Sequence, residues 1–284
     1  MILITGANGQ LGTEIRYLLD KHKIEYIGTD VAEMDITDVD SVHVMFEKVN
    51  PDIVFHCGAY TAVDKAEAEG KELAYKVNVV GTRRVAEATE RIGATLIYIS
   101  TDYVFDGTKK DGEYLPEDEA NPQSEYGRTK CLGEEAVMSI CSKYYTIRTS
   151  WVFGNYGHNF VFTMQKLAKS HQRLTIVNDQ YGRPTWTRTL AEFMLYLVEN
   201  KIDYGVYHLS NDNSCTWYDF AKEILVEEDI EIVPVTSAEF PQIAKRPQYS
   251  VLSLEKTKEI GFIIPSWQEA LELMLGEQKL VIYD

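Results

Sequence analysis

Met1-Ile2-Leu3-Ile4-Thr5-Gly6-Ala7-Asn8-Gly9-Gln10-Leu11-Gly12 joins a short apolar run to glycines at three-residue spacing. The run predicts a strand, and the glycines predict a tight turn into a helix. Gly6 permits the turn, Gly9 lets a pyrophosphate approach the backbone, and Gly12 lets the new helix lie close to the sheet. The helix N-terminus then attracts the phosphates. The next apolar run, Glu25-Tyr26-Ile27-Gly28-Thr29-Asp30, ends in a carboxylate where a second strand would present it to an adenosine ribose. Asp30 is therefore a candidate ribose ligand, and an acid there leans the motif towards NAD. Asp35 and Ile36 follow as candidates beside the adenine.

Further strands are expected at residues 52–56, 95–100 and 144–149, with helical periodicity between them and a later strand near 206–209. Alternation of this kind calls for a doubly wound parallel sheet covered on both faces, an α/β fold. Residues 1–150 read as a dinucleotide-binding domain to which a strand near 205–210 returns. Residues 151–284 read mainly as a smaller, discontinuous substrate-side lobe, with 219–225 as one of its packing helices. Ligands of such sheets gather at the carboxyl ends of the strands. His56-Cys57-Gly58-Ala59-Tyr60-Thr61, Ser100-Thr101-Asp102-Tyr103 and Trp151 all fall there.

Tyr126-Gly127-Arg128-Thr129-Lys130 places a phenol and an ammonium one helical turn apart. A free phenol ionises near pKa ~10, so a tyrosine that exchanges protons at neutral pH needs a positive charge close by. The pair reads as redox chemistry. As hydride reaches a ketone, negative charge develops on its oxygen. Tyr126 can give that oxygen a proton, Thr101 a second hydrogen bond, and Lys130 can hold the nicotinamide ribose while lowering the tyrosine pKa.

Composition narrows the classes. The 284 residues suffice for a large core, and their formal net charge of −16 should repel nucleic acid and anionic lipid. An anionic substrate would then need a local basic pocket, for which Arg183, Lys245 and Arg246 are possible suppliers. No stretch is apolar enough to span a membrane, and the start lacks a signal-peptide pattern, so the expected location is the cytoplasm. Cys57, Cys131, Cys141 and Cys215 lack Cys-x-x-Cys spacing and read as reduced thiols. His22, His43, His56, His158, His171 and His208 show no metal-ligand spacing, and no catalytic metal is expected. Glu117-Asp118-Glu119 reads as solvated surface.

Six ordered blocks carry a resemblance over nearly the whole chain. They are Gly6-x-x-Gly9-Gln10-Leu11-Gly12, residues 59–67 (Ala59 to Glu67), residues 100–107 (Ser100 to Gly107), Tyr126-Gly127-x-Thr129-Lys130, residues 148–154 (Arg148 to Gly154) and Asp179-Gln180-Tyr181-Gly182-x-Pro184-Thr185. Together they resemble the extended short-chain dehydrogenase/reductase family and, within it, the dTDP-4-dehydrorhamnose reductases. The resemblance implies a Rossmann-type domain with a smaller C-terminal sugar-nucleotide lobe. It also implies NADPH- or NADH-dependent reduction of a 4-keto sugar nucleotide to dTDP-L-rhamnose, in a monomer or homodimer. Gly9, Gln10, Leu11, Asp30, Asp35, Ile36, Ala59, Tyr60 and Thr61 would line the cofactor. Thr101, Asp102, Tyr103 and Trp151 would face the sugar nucleotide. Some relatives hold magnesium between subunits through carboxylates; Glu14 and Glu192 are possible remnants, but Glu192 has no acidic cluster around it, so a metal-linked dimer is not expected.

Alternatives remain within and beyond that chemistry. A sugar-nucleotide 4,6-dehydratase needs an acid after Thr101-Asp102, where this chain has Tyr103. A 4-epimerase needs only the Tyr-Lys-Thr set. The regulatory subunit of methionine adenosyltransferase resembles the same family and acts by binding a partner enzyme instead of catalysing a reaction.

Overall fold

A computed structural model describes residues 1–240 and 242–281; Pro241 and residues 282–284 lie outside it. Strands β1 (Ile2–Thr5), β2 (Tyr26–Thr29), β3 (Ile53–His56), β4 (Thr95–Thr101), β5 (Tyr144–Thr149) and β6 (Gly205–His208) form the central sheet. All pair in parallel, in the order β2-β1-β3-β4-β5-β6. Every residue of β1 is buried, so Ile2-Leu3-Ile4 is an unbroken apolar run, closed by a buried Thr5, where a half-exposed strand would alternate.

Helices α1 (Gln10–His22), α2 (Val39–Val49), α3 (Thr82–Ile92) and α4 (Glu125–Ile140) connect successive strands. Local chemistry sets their ends. The Asp38 carboxylate accepts from Asp40 N to open α2, the Ser124 hydroxyl accepts from Gly127 N to open α4, and left-handed Gly93 stops α3. After residue 150 come α5 (Thr187–Glu199) and the C-terminal helix α6 (Trp267–Val281).

Two apolar layers enclose the sheet. Ile15 and Leu18 of α1 meet Phe193 and Met194 of α5 over Ile4, Phe55 and Ile147. On the other face Phe46, Val85 and Val137 cover Leu3, Val54 and Leu96. Thus α5 as well as β6 belongs to the sheet; the strand's return is legible in the sequence, the helix's is not. A separate core gathers Phe153, Val161, Ile176, Phe220 and Trp267 beside a parallel pair of short strands, Arg173–Val177 and Glu231–Val235. The helix expected at 219–225 lies in this core as Trp217–Ile224, opened by a reciprocal Thr216–Asp219 capping box.

This is a doubly wound, Rossmann-type sheet, and its strand order reverses between β1 and β3. There the two carboxyl ends open a crevice. Gly6 holds a left-handed φ of +63°, and a Cβ on it would come within 2.6 Å of Gly58 Cα in the loop after β3. A Cβ on Gly12 would lie 2.1 Å from the Gly6 carbonyl oxygen, so only glycine lets α1 start this close to the turn. No helix of the described residues is long and apolar enough to cross a membrane.

Candidate active site

β4 delivers the first group. Thr101 ends the strand and caps the short 3-10 turn Asp102–Val104: its oxygen accepts from Tyr103 N at 3.2 Å, and its hydroxyl donates to Asp102 Oδ1 at 3.0 Å. Helix α4 begins against this turn. A Cβ on Gly127 would stand 2.2 Å from the Tyr103 carbonyl oxygen, and that proximity carries Tyr126 to Thr101. The Thr101 hydroxyl lies close enough to the Tyr126 phenol to act on its pKa. Burial pushes the Tyr126 phenol up to about 12; the Thr101 hydroxyl opposes this rise and the Asp102 charge adds to it. The phenol therefore keeps its proton at neutral pH.

Lys130, one turn further along α4, is buried and donates to the Ile99 carbonyl at 2.7 Å. Its ammonium lies 4.2 Å from the centre of the Tyr98 ring. Burial lowers it to about 7, against the opposing charges of Glu134 and Cys57. The sequence led us to expect this ammonium to depress the tyrosine pKa. The structure differs, because burial dominates at Tyr126 and the ammonium is turned towards β4.

Asp102 is buried, which raises its carboxyl to about 6 against the hydroxyls of Ser250 and Thr101, and its Oδ2 has no hydrogen-bond partner. Tyr103 packs edge-on against Tyr126, with ring centres 5.5 Å apart. Trp151 is stacked flat on Trp217 at 3.7 Å. Its φ is +48°, an uncommon and strained conformation for so large a side chain. Gly182 makes room for it, since a Cβ there would meet the indole at 2.6 Å.

On the crevice side, Gly9 precedes α1 with no side chain capping the helix, and Gln10 and Leu11 form its first turn. The Gln10 Oε1 atom is buried without a partner. Asp30 follows β2 and accepts from the Asn8 and Val31 amides at 3.2 and 2.9 Å. The Asp35 carboxyl is held low by the Thr37 hydroxyl and amide, with Lys76 and Arg84 also near. Ile36 fills the space beside Gly81, where a Cβ would lie 2.8 Å from it. Ala59, Tyr60 and Thr61 form the loop after β3, and Thr61 is exposed.

Asn78 is a residue the sequence reading missed. It lies fully buried in a π-helical turn, Lys76–Gly81. Its side chain accepts from Tyr60 N at 2.8 Å and donates to Tyr60 O and Thr129 Oγ1, each at 3.1 Å. One amide thus ties the loop after β3 to α4, and a π turn in a helix is often found at a functional site. An asparagine inside an otherwise apolar helical run, Val77-Asn78-Val79-Val80, was the available signal.

The basic suppliers come out differently. Arg246 pairs with Asp64 at 2.7 Å and Arg183 with Glu113 at 2.7 Å, so both charges are neutralised locally. Lys245 is exposed and reaches Gln123 at 3.2 Å. Glu14 is buried against Arg188, whose guanidinium also meets Glu277 at 3.1 Å. Glu192, raised by burial, lies near the same guanidinium. Among the described residues no group of histidines, cysteines and carboxylates is arranged to hold a metal ion.

Crevice, glycine turn and the Thr101–Tyr126 contact together define a dinucleotide-binding α/β protein of the short-chain dehydrogenase/reductase type. A family model described as RmlD substrate binding domain matches residues 1–280, and the chain belongs to that family. A relative from Aggregatibacter actinomycetemcomitans named dTDP-4-dehydrorhamnose reductase is 40% identical over 286 residues, covering 95% of this chain and 97% of that protein. A crystal structure of dTDP-4-dehydrorhamnose reductase from Bacillus anthracis in complex with NADP superimposes with a TM-score of 0.93 at 39% identity, covering 97% of this chain and 98% of that one. A Clostridium acetobutylicum dTDP-4-dehydrorhamnose reductase gives a TM-score of 0.94 at 45% identity, covering 98% and 99%.

Proposed function

We propose that this chain uses NADPH or NADH to reduce the 4-keto group of dTDP-4-dehydro-6-deoxy-L-mannose, giving dTDP-L-rhamnose. The observation that carries the reading is the placement of the Tyr126 phenol beside the Thr101 hydroxyl at the carboxyl end of β4, in a chain whose full-length relatives bear the reductase name. A nicotinamide dinucleotide fits the crevice. Glycines 6, 9 and 12 keep side chains out of its floor, α1 starts with no side-chain cap, and the orphaned Gln10 oxygen awaits a donor.

A nicotinamide held there would supply the hydride. Thr101 donates a hydrogen bond to the substrate carbonyl oxygen and polarises it, once its hydroxyl proton turns from Asp102 Oδ1 to the substrate. Tyr126, whose raised pKa keeps it protonated, delivers the proton as charge builds on that oxygen. Lys130 would hold the nicotinamide ribose by giving up its bond to the Ile99 carbonyl, and its charge would steady the phenolate left behind. Asp102 holds the Thr101 hydroxyl until substrate arrives, Ser250 lies against the Asp102 carboxyl, and Trp151, stacked on Trp217, offers a rigid wall to the sugar nucleotide. Tyr103 stands where a dehydratase would need a carboxylic acid, and its edge-on packing against Tyr126 gives it a space-filling role.

Purified protein given NADPH and the keto sugar nucleotide is expected to consume the cofactor's near-ultraviolet absorbance. Tyr126→Phe should lower kcat by about 10²–10⁴-fold, the usual contribution of a positioned general acid, while cofactor binding measured by fluorescence stays within a few-fold. Undiminished turnover in that variant would remove Tyr126 from the mechanism.

A further inference from the structure

Beside the glycine turn, at the Asp30 end of the crevice, lies a pocket with an arginine that the proposed reduction leaves without a role. It is lined by Asn8, Arg16, Gly28, Asp30 and Glu33, among others. Arg16, on α1, donates from Nη1 to the Ala7 carbonyl at 3.3 Å and to Asn8 Oδ1 at 3.1 Å. Both acceptors are neutral. Arg148, Arg183, Arg188 and Arg246 each pair with a carboxylate, whereas Arg16 makes no ion pair among the described residues. The nearby acids are engaged elsewhere: Asp30 accepts from the Asn8 and Val31 amides, and the Glu33 carboxylate accepts from Asp30 N at 2.9 Å. Gly28 opens the space in front of the guanidinium, because a Cβ there would stand 3.5 Å from Arg16 Cδ and 3.0 Å from the Ala7 side chain.

We infer that Arg16 receives the 2′-phosphate of NADPH, and that it lets a chain carrying the acidic Asp30 accept the phosphorylated cofactor. The inference rests on the proposed function, since it assumes that the adenosine ribose lies at the carboxyl end of β2 beside Asp30. An acid at that position favours a free 2′-hydroxyl and repels a phosphate. A guanidinium on the same cleft offsets the repulsion, and its planar fork matches two phosphate oxygens. Exchanging the neutral Ala7 and Asn8 acceptors for a dianion loses little and gains charge-assisted bonds.

Titration of NADPH and of NADH into the purified protein, followed by cofactor fluorescence, tests this without turnover. Arg16→Gln is expected to weaken NADPH binding by about 10–100-fold, as the loss of one or more charged hydrogen bonds implies, and to leave NADH within about 3-fold. Arg16→Lys should restore much of the NADPH affinity, and added salt should weaken NADPH binding to wild type more than NADH binding. Equal weakening of both cofactors, which a role limited to bracing the Ala7–Asn8 turn would produce, overturns the inference. So does an unchanged NADPH affinity. Wild-type protein that binds neither cofactor would instead defeat the dinucleotide reading itself.

Discussion

Asp102 holds a carboxyl where water scarcely reaches, at 2% exposure, and burial raises it to about 6. In the unfolded chain the same group titrates near 3.8. Between those values the folded state binds more protons than the unfolded one, so stability falls as pH rises from about 4 to 6, and above 6 the full cost is present. Two pKa units correspond to about 3 kcal/mol. Asp102→Asn removes the charge while keeping an acceptor for Thr101. We expect this variant to melt several degrees above wild type at pH 7, with the gap closing as pH approaches 4. A gap that persists at pH 4 would show that the carboxylate is not its cause. At this scale the types of the site residues were legible in the sequence, because a Thr at a strand end and a Tyr one turn before a Lys are local patterns. The direction of the Lys130 ammonium was not, since it depends on a carbonyl of β4 that lies 31 residues away in sequence. Arg16 was missed for a similar reason: nothing in its neighbourhood along the chain marks it as an arginine whose hydrogen-bond acceptors are both neutral.

Helix α4 and the C-terminal helix α6 each contain a glycine whose replacement has an opposite expected sign. Alanine is favoured over glycine in a helix interior by about 1 kcal/mol. At Gly276 of α6 a Cβ meets nothing within 4 Å, so Gly276→Ala should stabilise by several tenths up to about 1 kcal/mol. At Gly127 of α4 a Cβ would press on the Tyr103 backbone oxygen at 2.2 Å, and neither backbone can yield without moving its element. Gly127→Ala should therefore destabilise by about 1–3 kcal/mol, the usual cost of overpacking. It should also lower kcat, because α4 must retreat from the turn that holds Thr101. Denaturant midpoints of the two variants read both signs, and a Gly127→Ala protein as stable as wild type would mean that the close approach does not position Tyr126. The strands of the sheet were legible as elements because buried parallel strands are continuously apolar and end in turn residues. α5 was not recognised as part of the sheet, since its apolar face would fit either lobe and only the fold selects Ile15 and Leu18 as its partners. The π turn around Asn78 is likewise set by distant loops and not by local propensity.

Across the whole molecule, one buried charge network joins the dinucleotide-binding half to the far end of the chain. Glu14 of α1 is fully buried; it accepts from Arg188 Nε and from the Thr187 hydroxyl at 2.9 Å, and Arg188 reaches on to Glu277 of α6. A second pair, Arg246–Asp64, also spans distant segments, but Asp64 is 40% exposed where Glu14 is 0%. Exposed pairs contribute about 0–1 kcal/mol and are screened by salt, whereas breaking a buried pair strands a charge at a cost of about 3–5 kcal/mol. The two clasps should therefore respond differently. Asp64→Asn is expected to cost at most about 1 kcal/mol, whereas Arg188→Met should cost several. The cost of Arg188→Met comes mostly from the stranded Glu14 carboxylate and not from lost attraction, so adding Glu14→Gln to it should recover most of the stability. A double-mutant cycle of denaturant unfolding measures this directly: a coupling below about 1 kcal/mol between positions 14 and 188 would mean that packing of α1 on α5 holds the two halves together without the ion pair.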